Sequence, residues 1–210
     1  FIHLVKVQLL GDGFVQADDI GTTCGEGGRV ELTHILLGGK ETYTGAAGTL
    51  PSFGASFKAD TAYLCRADQK LDMNYVVRQI GKKTDCRMTA QGTLQDKAVK
   101  TYRGSIDFIK GSEGSTGNEY EEVLLLSPYV VNKSIPLILC GEEDIAGEHG
   151  STIGKLGEDT LFYMQSRGIA KQEAEMLMAR AKIARVASDI PDEATVEKIN
   201  AYLDEVLSHE

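Results

Sequence analysis

The stretch GEHGSTIGKLGEDTLFYMQSRGI, residues 147–169, marks a change in the character of the chain. Before it, short segments that alternate apolar and polar residues are separated by Gly, Asp, Asn and Ser, a pattern typical of strands joined by turns. After it, apolar residues recur at helical spacing. The stretch itself holds a His-Gly pair, a Gly-bounded turn and the opening of a helix. His149, flanked by Glu148 and Gly150, is therefore predicted to lie where a β layer meets a helical layer.

Residues 1–155 are predicted to form the β part of the protein. Many of its segments alternate apolar and polar residues, as at 105–109, and the whole chain has only four prolines to interrupt strand hydrogen bonding. This pattern fits a sandwich and a solenoid of stacked coils equally well. Met88, Ile106 and Leu124 are equally spaced, as coils of similar length would place them. The predicted strands are 3–9, 30–37, 62–66, 71–78, 86–93, 102–110, 123–126 and 135–140.

Residues 156–210 are predicted to form a small helical domain. Helices are expected at 159–166 and 171–186, separated at Gly168, and a third helix is expected to begin near Pro191. Each apolar stripe must be buried on the β layer, on another helix or on a partner protein. The predicted stripes are Ala174, Leu177, Met178 and Ala181 in the second helix, and Val196, Ile199, Leu203 and Val206 in the third.

Composition excludes several classes of function. The chain has 210 residues, of which 42% are hydrophobic and 25% charged, as in ordinary globular proteins. Its formal net charge of −9 argues against nucleic-acid binding, which usually needs a basic patch. There is no apolar run of the roughly 18 residues that would span a membrane, and no secretory leader. The chain begins at Phe1 inside a predicted strand, which we interpret as the start of a fragment.

The four cysteines are Cys24, Cys65, Cys86 and Cys140. They are widely separated and form no Cys-x-x-Cys pair, so their spacing does not fit a zinc ribbon, a ferredoxin or a small disulfide framework. We therefore predict four partly buried thiols in a reducing cytoplasm.

Motifs for nucleotide hydrolysis and other catalysis are incomplete. Gly154-Lys155 suggests a Walker A loop, but His149 stands where the first glycine is required and Leu156 where Ser or Thr is required. The glycines at 25–28 do not complete a dinucleotide-binding fingerprint, and no hydrolase motif is found. The chain is therefore predicted not to be an enzyme.

Two features could bind a metal. Glu142, Glu143 and Asp144 form an acidic cluster, interpretable as a solvated loop or as hard oxygen ligands for iron. His149 fits either a structural hydrogen-bonding role or metal ligation. Cys140, nine residues earlier, would approach His149 if the chain doubled back, although a buried thiol remains the simpler interpretation.

Several segments together resemble a known family. They are EHGSTIG at 148–154, LFYMQSRGI at 161–169, GKKT at 81–84, RGSI at 103–106 and LLLS at 124–127. In this order they resemble the SufB/SufD family of scaffold proteins in the SUF iron–sulfur cluster assembly system. The similarity covers roughly residues 70–187, and the His-Gly segment followed by the Leu-Phe-Tyr segment is its most specific part.

The resemblance implies a fold and an assembly. Family members form a right-handed parallel β-helix followed by a small helical domain, which favours the solenoid over the sandwich. The resemblance also implies a cytoplasmic complex in which two β-helix subunits pair edge to edge. Each carries a SufC-type ABC ATPase on its helices. A cluster would form at the subunit interface between a cysteine of the SufB-type subunit and a histidine of the SufD-type subunit.

Residue by residue, the family histidine corresponds to His149, with Glu148 beside it as a second candidate for a transient cluster or iron site. The interface cysteine of the SufB type would fall near Val130, where this chain has no thiol, so the chain resembles the SufD type. Because it lacks an N-terminal segment usual in the family, a short homodimeric form is an alternative to pairing with a SufB-type paralogue. The residues expected to contact the ATPase are Leu161, Phe162, Arg167, Leu177 and Met178.

The sequence therefore predicts a non-catalytic scaffold subunit for iron–sulfur cluster assembly, without a tightly bound cofactor and without a nucleic-acid or membrane partner. One alternative is a β-solenoid enzyme acting on a carbohydrate or acyl substrate. That function would require clustered carboxylates or a His/Ser pair on one solenoid face. A second alternative is a purely structural β-helix in which His149 is an ordinary turn residue.

Overall fold

The computed structural model describes residues 1–208, and in that part of the chain it contains twelve strands followed by three helices. The strands are β1 (Ile2–Gln8), β2 (Val15–Ala17), β3 (Ile20–Thr23), β4 (Arg29–Leu36), β5 (Glu41–Leu50), β6 (Ser56–Cys65), β7 (Lys70–Gln79), β8 (Asp85–Leu94), β9 (Val99–Phe108), β10 (Ser115–Leu125), β11 (Val131–Cys140) and β12 (Ile145–Gly154). The helices are α1 (Glu158–Ser166), α2 (Lys171–Ala187) and α3 (Glu193–Ser208).

The strands form a parallel β-helix of about five turns. From β3 onward, successive strands alternate between two sheets. The first sheet has the order β1-β4-β6-β8-β10-β12, and the second has the order β11-β9-β7-β5-β2, with β3 also paired to β5. Every pairing is parallel, and Phe57 lies beside Cys86, a register step of 29 residues. The predicted mainly β solenoid followed by helices is confirmed.

The interior of the solenoid is filled by alternate residues of every strand. In β9 the strictly alternating burial places Tyr102, Ile106 and Phe108 inside, each at most 1% exposed. Phe57 and Tyr75 fill the neighbouring coils in the same way. Burying such large side chains supplies the main driving force for stacking one coil on the next.

The corners between sheets repeat a left-handed backbone residue. Gly54, Lys83 and Gly114 occupy equivalent corners with φ values of 65°, 52° and 71°. Hydrogen bonds connect each corner to the next one: the Gly54 N–H donates to the Lys82 carbonyl, and the Lys83 N–H donates to the Glu113 carbonyl. Lys83 is strained at this angle, which glycine adopts freely. The fold therefore imposes the corner geometry even where the sequence supplies no glycine.

The helices cover the outer face of the first sheet. Ile35 and Leu64 of the sheet share a buried apolar cluster with Ile183 of α2 and with Ile199 and Leu203 of α3. The predicted inner stripe of the third helix is confirmed, since Val206 is also buried and Val196 packs at its margin. No helix within the described residues is both long and apolar enough to cross a bilayer.

The stripe predicted for the second helix is wrong in part. Ala174 is buried, but Leu177 and Ala181 are exposed and Met178 is half-buried. The sheet instead selects a different side of α2, which carries Ala179, Ile183, Val186 and Ala187. The predicted division into a β-helix core and a helical domain between residues 155 and 156 stays a prediction. The helices and the sheet share one apolar cluster.

Several strand predictions also need correction. β2, β3, β5 and β12 were not predicted, and β6 and β10 begin well before the predicted segments at 62–66 and 123–126. Met88, Ile106 and Leu124 are not register partners, since Met88 lies beside Ala59 and Glu119. Three of the four cysteines are buried as predicted, but Cys140 is exposed because it ends β11 at the free end of the solenoid.

Candidate functional site

The candidate residues Glu148 and His149 lie within β12, the last strand of the first sheet. No strand was predicted here from the sequence. β12 pairs with β10 along its whole length, with His149 beside Glu119. At one of its glycines the space is tight, because a Cβ at Gly147 would lie 3.2 Å from side-chain atoms of Ile138 and Phe108.

Glu148 and His149 lie on opposite faces of the strand, because successive residues of a strand alternate. Ile145 packs against the interior core and Gly147 faces Phe108, so His149 lies on the inner side of β12. Glu148 lies on the outer side, beside Asn118. Both are exposed, because no further coil covers β12. His149 is thus an accessible imidazole at the open end of the solenoid.

A buried charged group lies one coil below His149. The Lys100 ammonium pairs with the Glu121 carboxylate inside the solenoid, with both side chains almost fully buried. Lys100 also lies 5.8 Å and 5.6 Å from the ring centres of Tyr63 and Tyr102. Burial lowers the pKa of Lys100, while Glu121 acts in the opposite direction. Removing one partner of such a buried pair would leave the other charge uncompensated and would destabilise the fold.

Glu119 adds a second buried carboxyl to this group. Burial, and to a lesser extent the nearby Glu121 charge, raises the pKa of Glu119 to about 7. Its carboxyl lies against Gly104, where a Cβ would fall 2.1 Å from Oε1. Gly104 is therefore required by packing. Glu119, Glu121 and Lys100 were not predicted as site residues. Glu119 and Glu121 alternate with Tyr120, and this spacing indicates that both carboxyls face the same side of the strand.

The structure does not bring the predicted metal-binding groups together. Within residues 1–208, no cluster of three or more His, Cys, Asp or Glu side chains is placed to hold a metal ion. Cys140 ends β11, whereas His149 lies four residues into β12, about 13 Å along the strand from its start. Glu142 of the acidic cluster instead accepts hydrogen bonds from the Gly111 and Glu143 N–H groups, which lower its pKa. Its role at that corner is structural.

The predicted partner-binding residues lie on α1 and α2. No side chain of α1 is buried, and Phe162 is 73% exposed. Leu161 and Met178 are half-buried, while Leu177 is exposed on the side of α2 that faces away from the sheet. The Arg167 guanidinium lies over the Tyr163 ring at 5.4 Å. These helices therefore present apolar side chains that nothing in the described chain covers.

Comparison with known proteins gives a consistent result. Residues 1–182 match the family model described as "SUF system FeS cluster assembly, SufBD core domain". The chain is 23% identical over 184 residues to the iron–sulfur cluster assembly protein SufD of Bacillus subtilis, and 26% identical over 176 residues to SufB of the same organism. A chloroplast SufBD family protein of Arabidopsis thaliana is 24% identical over 177 residues.

These alignments cover most of this chain but less than half of each relative. The SufD match spans 88% of the chain and 42% of the relative, and the SufB match spans 84% and 38%. The Arabidopsis match spans 84% of the chain and 32% of the relative. Identity to SufD and to SufB is similar, so these values do not separate the two types.

Proposed function

The chain belongs to the SufB/SufD family of the SUF iron–sulfur cluster assembly system, and from this membership we propose that it acts as a SufD-like, non-catalytic scaffold subunit in the cytoplasm. The observation that carries the proposal is the exposed His149 on the uncovered last strand of a SufBD core fold. A nascent cluster is the cargo, held transiently between subunits. An imidazole can replace a thiolate on iron, and such weaker ligation suits a site that must release its cluster.

The chain supplies the histidine and not the interface cysteine. Val130, near which the SufB-type cysteine would lie, has no thiol, and Cys140 ends β11 in the other sheet, whereas His149 lies four residues into β12. A complete site therefore needs a thiolate from a second subunit. That subunit is a SufB-type paralogue or, for a short form, another copy of this chain. Glu148 lies on the outer face of β12, where it can contact a paired subunit.

Pairing is proposed to use the free edge of β12. β11 contains Pro136, which lacks an N–H and interrupts the ladder that an added strand would need. β12 contains no proline and is exposed along most of its length. An uncovered strand edge of this kind offers main-chain donors and acceptors to another chain. The edge that carries His149 is thus the better pairing surface.

The helices are proposed to bind the SufC-type ATPase. Phe162 and Leu177 are exposed apolar residues, and partly buried Leu161 and Met178 adjoin them along the two helices. Arg167, fixed over Tyr163, adds a charge at the end of α1. The chain lacks a complete Walker A loop, so nucleotide-driven movement must come from such a partner. Its movement would open or close the interface that holds His149.

The test measures complex formation with the SufC-type ATPase of the same organism by size-exclusion chromatography with light scattering. We expect a stable complex with the wild-type chain and its loss in the Leu177→Asp, Met178→Asp double variant. Ile80→Asp is the matched control, since Ile80 is an exposed apolar residue on the solenoid. A well-folded chain that forms no complex would contradict the docking proposal.

A second measurement addresses His149 itself. Cells that depend on this protein for cluster assembly should lose activity of iron–sulfur enzymes when His149 is replaced by Ala. The Ser151→Ala variant, on the same side of the same strand, should keep it. Normal cluster assembly with His149→Ala would remove His149 from the proposed site while leaving the family assignment untouched.

A further inference from the structure

A groove lies on the outer face of the first sheet, beside the C-terminal half of α2. Its volume is about 560 Å³, and strands β6, β8 and β10 form its floor. Lys58, Arg87 and Tyr120 line it from the sheet, and Arg185 lines it from the helix. The groove is therefore on the other face of the sheet from His149, although Asn118 at its margin lies beside Glu148.

The floor of the groove places two cations side by side. Lys58 and Arg87 are direct register partners on neighbouring parallel strands. Like charges in such positions destabilise a sheet unless something compensates them. Arg185 of α2 contributes a third cation to the same groove. Three carboxylates, those of Asp60, Glu122 and Asp189, line the same groove, so its formal charges are balanced.

The carboxylates of the groove are already occupied. Lys58 pairs with Asp60 at 2.6 Å and approaches Asp189 at 3.9 Å. Glu122 is held by Lys182 of α2, which lies outside the groove. Among residues 1–208, neither Arg87 nor Arg185 forms an ion pair with a carboxylate. Two guanidinium groups thus line the groove without an anionic partner.

An aromatic ring lies next to these cations. The Tyr120 ring covers Gly150, where a Cβ would fall 3.2 Å from the ring, and its hydroxyl hydrogen-bonds with Thr152 Oγ1 at 2.8 Å. These contacts fix the ring, yet 45% of the residue stays exposed in the groove. A fixed, exposed ring is a suitable surface for stacking a planar group.

We infer that this groove binds a phosphate-bearing small molecule with a planar ring, of the nucleotide class. Arg87 and Arg185 contact the phosphate, and Tyr120 contacts the ring. Guanidinium groups bind phosphate oxygens in pairs through fixed donors, so two unpaired arginines on facing elements suit this anion. The volume lies within the usual range for small-molecule sites. The inference does not depend on the cluster-assembly proposal.

Isothermal titration calorimetry of the full chain at low salt tests the inference, with ADP and inorganic phosphate as probes. We expect saturable binding of ADP that weakens at least tenfold in Arg87→Gln and in Arg185→Gln. Arg78→Gln is the matched control, because Arg78 is an exposed arginine on the second sheet and lies 3.9 Å from Asp107. Circular dichroism of each variant establishes that the fold is kept.

The two probes separate the parts of the ligand. If Tyr120→Leu weakens ADP binding and leaves phosphate binding unchanged, the ring contact is supported. Two results would overturn the inference. One is that neither ADP nor inorganic phosphate binds at a concentration of about 1 mM, where weak specific binding is still detectable. The other is an affinity that the Arg87 and Arg185 substitutions leave unchanged.

Discussion

The middle coils and the last coil are built alike but differ in what covers them. In the middle, Phe57 and Tyr102 lie on strands with a hydrogen-bonded neighbour on each side, and both are about 1% exposed. In the last coil, β11 and β12 each have one free edge, and Leu137 and Leu139 remain 45% exposed. The alternation differs between the two regions, because Leu137 and Leu139 lie beside the outward-facing Ser105 and Asp107 of β9, whereas Tyr102 faces the interior. Burial of an apolar residue in this fold therefore depends on which face of the strand carries it and on what covers that face.

The largest expected difference between the two regions lies in packing. Phe57→Ala should lower the free energy of unfolding by about 3–5 kcal/mol, because it leaves a cavity between coils. Leu139→Ala, in the last coil, should cost less than about 1 kcal/mol, since nearly half of this side chain is already exposed. Denaturant unfolding followed by circular dichroism measures both values. Equal losses would mean that the last coil is covered in solution.

The buried ion pair should be almost as sensitive. Lys100→Met leaves Glu121 charged inside the solenoid and should cost about 3 kcal/mol, whereas adding Glu121→Gln should recover much of that loss. Lys82→Met removes an exposed pair with Glu113 and should leave the free energy of unfolding almost unchanged. Denaturant titration of these three variants and of the wild type gives the free energies of unfolding to be compared. A small Lys100→Met effect would show that water reaches the interior.

Acid should destabilise the interior through His34. Burial lowers the pKa of His34 to about 3, and its Nδ1 hydrogen-bonds with the Tyr75 hydroxyl at 2.7 Å. Since unfolded histidine titrates near pH 6.5, the unfolded chain binds the extra proton as the pH falls from 6.5 towards 3. This contribution is complete above pH 6.5, and about 2 kcal/mol of it is lost by pH 5.

The measurement is the free energy of unfolding at pH 7 and pH 5, for the wild type and for His34→Gln. The variant should not lose this part of its stability in acid. The difference in the free energy of unfolding between the wild type and the variant should therefore be about 2 kcal/mol smaller at pH 5 than at pH 7. The other acid-sensitive groups are shared and cancel in that difference. An unchanged difference would mean that His34 is protonated in the folded protein or reaches solvent.

The smallest expected effect concerns the reactivity of the cysteine thiols and leaves the free energy of unfolding unchanged. Cys140 is exposed in the last coil, whereas Cys24, Cys65 and Cys86 are buried. Burial also raises the pKa of Cys65 to about 12, which leaves almost no thiolate at neutral pH. A thiol-specific disulfide reagent should modify one cysteine quickly in the native protein and all four after denaturation. Rapid labelling of Cys140→Ser would show that an interior coil opens.

The sequence predicts the broad division of the molecule well. The change from alternating segments to helical spacing predicts strands followed by helices, as the structure shows. The third helix buries the predicted stripe because its apolar residues leave only one choice. The second helix offers two partly apolar sides. The sheet beneath selects Ile183 and Val186, leaving Leu177 exposed. That choice depends on the shape of the sheet, which local spacing does not describe.

The candidate site was harder to predict, because no strand was predicted at 145–154. Glycines at 147, 150 and 154 interrupt the alternation of apolar and polar residues, and Gly147 packs closely against Phe108 across the coil. Once β12 is a strand, Glu148 and His149 must face opposite sides. The groove residues Arg87 and Arg185 are nearly a hundred positions apart, so only the folded chain shows that they converge. Whether His149 holds a cluster stays a prediction.

The repeated left-handed corners at Gly54, Lys83 and Gly114 have a consequence for the history of the gene. Because each coil begins and ends at an equivalent corner, a tandem duplication of about thirty codons can insert a coil without reshaping its neighbours. Each insertion would move the two ends of the solenoid apart by one strand spacing, about 4.8 Å. A chain lengthened in this way would keep the same two terminal surfaces.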